Sequence, residues 1–318
     1  MPLFHCPMGA PYYEADNCIL CDLCLATTKE EMIKSTDKLR EYLQAHAEKQ
    51  AVLKKWAITG KGGTGKSTIT ALIANCLREE GYRVLVIDTD ESNPGMQRKF
   101  GFEEEPKPLL NLLSRFAVGE PEPDTEWLTK DEIYFDDIPP EYVLESDNLK
   151  FMMVGKIENP FQGCACTMAD ITKELMGKFV VGDKEVVLVD TEAGVESFGR
   201  GLERNMDTVL IIVEPSYESV NLAGKIDFMA DGIGVSTVRA ICNKVPSEEI
   251  NQQIIEQLTQ KEVKVIGTVF VDPKVSNTNF TGEPLGDSQA KEEVRKIVRS
   301  ILILIDQIPE EVGSTKEE

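Results

Sequence analysis

Gly60-Lys61-Gly62-Gly63-Thr64-Gly65-Lys66-Ser67-Thr68 is the stretch on which the fold turns. It fits G-x-x-x-x-G-K-[ST], and its flanks supply the context that the pattern requires. Trp56–Thr59 ahead of it reads as a short apolar strand, and Ser67–Glu80 behind it as a helix stopped by Gly81. The residue types follow from the chemistry. Glycines let successive backbone N–H groups wrap an anion without Cβ clashes. Lys66 is placed to reach the β and γ oxygens of a nucleoside triphosphate, and Ser67 offers a hydroxyl to Mg²⁺. The helix start adds its positive end. A glycine-rich loop alone would signify only flexibility, but with Lys66, Ser67 and both flanks present the segment is expected to bind ATP with Mg²⁺.

Working outward, Arg83–Ile87 is a continuous apolar run ending at Asp88, as expected of a strand buried on both faces. Phe151–Val154, Val186–Val189, Val209–Val213, Thr237–Cys242 and Val263–Val269 repeat the pattern, with helices predicted between most of them. The rhythm predicts an α/β fold, a doubly wound and mainly parallel sheet, over residues 55–308. Glu103–Asn148 breaks it; the stretch is acidic and proline-bearing and reads as a variable insertion. Residues 309–318 form a charged tail, expected to fray. Residues 1–27 are cysteine-rich and too short to hold a core without a staple. Thr28-x-x-Glu31 is a capping box opening a helical linker, 28–54, with Met32, Leu39 and Leu43 at helical spacing.

The chain has 318 residues, 42% of them hydrophobic, enough for a sizeable core, and 55 acidic against 34 basic residues give a net charge of −21. Such a surface repels phosphate backbones and anionic lipid, so neither nucleic acid nor membrane is an expected partner. No run approaches the ~20 apolar residues of a membrane span. Met1–Ala10 lacks a basic region followed by an apolar stretch, so no secretory signal is read there and a cytoplasmic location is expected.

Disulfides are rare in that compartment, which changes the meaning of the eight cysteines. Cys76 and Cys242 stand alone in apolar patterns and read as buried structural residues. The other six are clustered. Cys18-x-x-Cys21-x-x-Cys24 with Cys6-Pro7 upstream is similar to a bacterial ferredoxin motif, and four thiolates so placed suit a [4Fe–4S] cluster, with zinc as the alternative metal. Cys164 and Cys166 supply only two thiolates. A four-coordinate site there needs a second copy of the chain, unless a client or water completes it, and His5 and His46 are the only histidines in the sequence.

The second lysine of the loop narrows the class. Gly60-Lys61-Gly62-Gly63-Thr64-Gly65-Lys66-Ser67-Thr68 resembles the deviant Walker A motif of the MinD/ParA/nitrogenase-iron-protein group (SIMIBI type). The resemblance implies a homodimeric ATPase in which Lys61 crosses to the partner's nucleotide. It also implies that Asp88-Thr89-Asp90 is the first switch, with Asp88 near Mg²⁺ and Asp90 positioning the attacking water. Asp190 would be the Walker B carboxylate, Asn243 would read the adenine, and the loop at Pro273 would close over the base. Asp190–Gly201 resembles the second switch of the CooC family, which matures the nickel site of carbon monoxide dehydrogenase, although that family's pattern carries a histidine where this chain has Ser197. Gly163-Cys164-Ala165-Cys166 resembles the same family's C-x-C element, which implies one Ni²⁺ or Zn²⁺ bridging two protomers. The client would be a carbon monoxide dehydrogenase-like metalloenzyme. Two other functions compete: an ATP-driven electron donor with a bridging [4Fe–4S] cluster, and a non-redox positioning ATPase.

Overall fold

The structure is a computed structural model and describes residues 54–90, 95–112, 125–155, 165–195, 205–235 and 237–306. The chain divides into two units, residues 1–53 with 304–318 and residues 54–303. The sheet belongs to the second. The cysteines at positions 6, 18, 21, 24 and 164 and the helical linker lie outside the described residues.

Eight strands form one sheet: β1 (Lys55–Gly60), β2 (Arg83–Asp88), β3 (Leu144–Ser146), β4 (Leu149–Met153), β5 (Glu185–Asp190), β6 (Thr208–Val213), β7 (Thr237–Val245) and β8 (Val265–Phe270). Their order is β3-β4-β2-β5-β1-β6-β7-β8, with every pair parallel except β3 against β4. The described helices are α1 (Lys66–Glu79), α2 (Ala165–Lys178), α3 (Tyr217–Gly232), α4 (Glu248–Thr259), α5 (Pro273–Thr281) and α6 (Gln289–Asp306). Central strands are apolar end to end because helices cover both faces; Val84, Leu85, Val86 and Ile87 are all fully buried. In such a sheet the ligand site falls at the C-terminal edge of the strands. Gly60, Asp88 and Asp190 all stand there, and Asp88 is in register with Asp190.

Both ends of β1 are fixed. At its start, Asp207 Oδ2 accepts the backbone N–H groups of Lys54 at 2.9 Å and of Lys55 at 2.8 Å. Burial pushes the Asp207 carboxyl up to about 6, against the opposing pull of those N–H groups and of the two lysine charges. Helix α1 buries Ile69, Leu72, Ile73, Cys76 and Leu77, and its far end is tied to α6 by Glu79–Lys291 and Glu80–Arg299 ion pairs of 2.7 Å each. Cys76 and Cys242 are fully buried, and burial pushes both thiols up to about 12, consistent with inert packing residues.

Two strand boundaries need correction, and Glu103–Asn148, read as a variable insertion, is built into the core in its described part. It supplies Trp127, Ile133, Phe135, Ile138 and Tyr142 to the core and forms β3 along the edge of the sheet. It does so through 3-10 turns of three or four residues, too short to show helical or strand periodicity. β7 runs on to Val245, so Asn243 and Lys244 lie within the strand, at a register shift where Lys244 takes φ 56°. β8 begins at Val265, two residues later than the apolar run suggests, because Glu262 at φ 63° turns the chain after α4. Among the described residues no helix is long and apolar enough to cross a membrane.

Candidate nucleotide site

The P-loop runs from the end of β1 to the start of α1, and two glycines make its path possible. Gly60 sits at φ 142°, and a Cβ there would meet the Ile212 carbonyl oxygen at 2.5 Å. Gly65 caps α1 at φ 93°, and a Cβ there would come within 2.6 Å of Asn243 Nδ2. Only glycine tolerates both the conformation and the contact. The loop is braced from inside by Thr64, whose Oγ1 donates to the Lys61 carbonyl at 2.9 Å, and from β7 by Asn243, whose Nδ2 donates to the Thr64 carbonyl at 2.7 Å. Lys244 Nζ donates to the Gly63 carbonyl. The asparagine expected to read adenine therefore braces the loop with its amide N–H.

Asp190 lies beneath the start of α1, with no exposed surface. Its Oδ1 is 3.0 Å from Thr70 Oγ1, a hydroxyl that also lies 2.9 Å from the Lys66 carbonyl. Its Oδ2 is buried and has no hydrogen-bond partner among the described residues. Burial pushes the carboxyl up to about 6, opposed by a hydrogen bond from Ser67, the charge of Lys66 and the Thr70 hydroxyl, and reinforced by the charge of Asp90. An orphaned carboxylate oxygen beside the Ser67 hydroxyl is a hard oxygen donor set, the kind that Mg²⁺ prefers. Those residues fit the ion, whether directly or through its waters. Past the end of β2, Asp90 N–H donates to Asp88 Oδ1 at 3.0 Å, and Thr89 Oγ1 donates to the Asp190 carbonyl at 2.9 Å, so the ends of β2 and β5 are cross-tied.

Lys61 does not reach into its own site. Its Nζ pairs with Glu214 Oε1 at 3.2 Å, just past the end of β6. A cavity of about 540 Å³ opens beside the loop. One wall is Gly62, Gly63, Gly65, Lys66, Ser67 and Thr68; the other is Gly95, Met96, Arg98 and Lys99 with Thr278, Asn279, Gly282 and Glu283; Asp90 and Ala193 complete it. Asn243 and Pro273 are not among its lining residues. Pro273 is the first residue of α5, after Asp272 as N-cap, and it is the other end of that helix that meets the cavity. Sequence reasoning missed Arg98, Lys99, Asn279 and Glu214. A basic pair so soon after Asp90 in an acidic chain was the available signal for the first two. Of the C-x-C pair, Cys166 falls in the first turn of α2, its side chain outside the described set.

A parallel sheet, a glycine loop over a helix start and a buried carboxylate at the neighbouring strand end define a P-loop nucleotide-binding protein. The CbiA profile, described as the CobQ/CobB/MinD/ParA nucleotide binding domain, matches residues 56–285, and the chain belongs to that family. It is an ATP-hydrolysing enzyme of the MinD/ParA type. It is 38% identical to an uncharacterized ATP-binding protein of Methanocaldococcus jannaschii over 240 residues, 73% of this chain and 93% of that one. It is 30% identical to the carbon monoxide dehydrogenase accessory protein CooC of Rhodospirillum rubrum over 235 residues, 72% of this chain and 88% of that one. Among solved structures, the MinC:MinD cell division protein complex of Aquifex aeolicus matches its fold with a TM-score of 0.57, at 19% identity over 78% of this chain and 95% of that one.

Proposed function

We propose that this chain is a homodimeric MgATP-dependent maturation ATPase that delivers nickel to a carbon monoxide dehydrogenase-like client. The observation that carries the reading is the similarity to the CooC accessory protein together with Gly163-Cys164-Ala165-Cys166. Nickel is cargo here. Cys164 and Cys166 of two protomers give the four thiolates of one site, which also accepts Zn²⁺. Cys6, Cys18, Cys21 and Cys24 hold a separate [4Fe–4S] cluster or a zinc ion, a staple for a module without a core.

In the nucleotide site the P-loop N–H groups hold the phosphates, and Lys66 pairs with the β and γ oxygens. Ser67, Asp190 and Asp88 would hold Mg²⁺, which would supply positive charge against that developing on the phosphoryl oxygens. Asp90 would position the attacking water by accepting a hydrogen bond from it, or activate it as a general base. Lys61 leaves Glu214 and reaches the partner's nucleotide as the dimer closes. The Asn243 amide oxygen and the Pro273 loop, which are not among the residues lining the cavity, would flank a base that extends beyond it. Closure brings the two C-x-C segments together, and hydrolysis releases the cargo to the client.

The test is anaerobic nickel loading of the full chain, followed by activation of a nickel-free carbon monoxide dehydrogenase with ATP. Activation by wild type, lost in Cys164→Ser/Cys166→Ser, supports the reading. Iron and sulfide at the C-x-C locus in place of a single metal would favour an electron donor and sink it.

A further inference from the structure

The cavity wall opposite the P-loop carries a cation that no motif points to. Lys99 belongs to the 3-10 turn Met96–Phe100, which is bracketed by Gly95 and Gly101, both in the left-handed conformation. Its half-buried side chain donates from Nζ to Asn279 Oδ1 at 2.5 Å. The same oxygen lies 3.2 Å from Thr68 Oγ1. Lys99 therefore faces the first turn of α1 across the cavity that Lys66, Ser67 and Asp90 also line.

An ammonium carries three donors. Among the described residues Lys99 has one hydrogen-bond acceptor, a neutral amide already shared with a threonine, and no ion pair. Burial holds the amine below the usual lysine range, and the charge of Asp190 partly offsets that effect. The amine lines the cavity that Lys66, Ser67 and Asp90 also line. A half-buried cation there, held by a neutral acceptor, is stabilised by an arriving anion, and a charge-assisted hydrogen bond is roughly twice as strong as a neutral one.

We propose that Lys99 is a further phosphate-binding residue acting within its own chain, resting on Asn279 when the site is empty and pairing with the terminal phosphate of bound ATP. The proposal rests on the reading of this cavity as the ATP site. Lys99 would then do in cis what Lys61, paired with Glu214, does not do in its own site. It would also report the γ-phosphate to α5, because taking up the phosphate releases Asn279.

The experiment compares full-length wild type with Lys99→Met, Lys99→Arg, Asn279→Ala and Lys66→Ala. It measures Mg²⁺-dependent affinity for a non-hydrolysable ATP analogue and for ADP, together with thermal stability. Loss of a charged hydrogen bond predicts that Lys99→Met weakens the ATP analogue by roughly tenfold or more. ADP affinity should change by less than about threefold. Lys99→Arg should restore most of the preference for the triphosphate. If Lys99 only ties its turn to α5, Lys99→Met and Asn279→Ala will lower thermal stability alike and weaken both nucleotides equally, which overturns the proposal. If wild type binds neither nucleotide better than Lys66→Ala does, the reading of the cavity falls, and the proposal with it.

Discussion

The two walls of the nucleotide cavity are built differently. The P-loop wall is backbone: glycines at φ values closed to other residues, braced from β7 through Asn243 and Lys244. The opposite wall is side chain: Arg98 and Lys99 on a five-residue 3-10 turn and Asn279 near the end of a nine-residue helix. The first is fixed by its glycine conformations and by the hydrogen bonds from β7. The second is held by a few polar contacts between segments 180 residues apart, so its cost of rearrangement is a hydrogen bond or two. The difference separates holding from sensing. On the proposed reading, the rigid wall would grip any nucleotide with a β-phosphate, and the soft wall would read the terminal phosphate.

The contrast breaks first, if it is wrong, at Lys66. Lys66→Ala should lower ATP hydrolysis by more than about a hundredfold, measured as phosphate release, with the fold intact by circular dichroism. Next is the backbone. Gly60→Ala forces both a strained φ and a clash with the Ile212 carbonyl, and should cost about 2–4 kcal/mol in urea unfolding. A loss below about 0.5 kcal/mol would show that the loop is not rigid. Third, Lys61→Ala should leave nucleotide affinity near wild type and reduce ATP-dependent dimerisation and turnover by roughly tenfold, read by sedimentation and by phosphate release. Normal dimerisation would remove the trans role of Lys61.

The smallest effect lies away from both walls and serves as their control. Asp207 ionises near 6 in the folded chain and near 3.9 when unfolded. Its contribution is thus fully present below about pH 4 and is lost as pH rises through about 6. Asp207→Asn keeps an acceptor for Lys54 and Lys55 but does not titrate. The stability gap between wild type and variant should therefore shrink by on the order of 1 kcal/mol from about pH 4 to about pH 7. Asp190 titrates over the same range in both proteins and cancels from the difference. A constant gap would show that Asp207 is not the group responsible.

The legible part of the site was contiguous in sequence. Gly60–Thr68 carries its own chemistry in order, and Asp88 and Asp190 announce themselves as single carboxylates closing apolar strands. Lys99 and Asn279 could not be read, because neither belongs to a pattern and only the folded sheet brings them to one cavity. The core role of Trp127, Phe135 and Tyr142 was hidden for another reason. Their segment uses 3-10 turns, which leave no repeat for a periodicity argument to find. The Lys61–Glu214 pair was invisible as well, since Glu214 follows β6 as an ordinary loop residue would.

Strand β1 is in effect a short strut between two anchors. Six residues at ~3.3 Å each place the P-loop roughly 20 Å from the carboxylate that fastens the strand's origin. Asp207 grips the backbone N–H groups of Lys54 and Lys55, and the carbonyls of the same two residues accept from Val187 N–H at 2.8 Å and Asp207 N–H at 2.9 Å. The foot of the strut is thereby clamped from both flanks, and its position does not rest on a single bond.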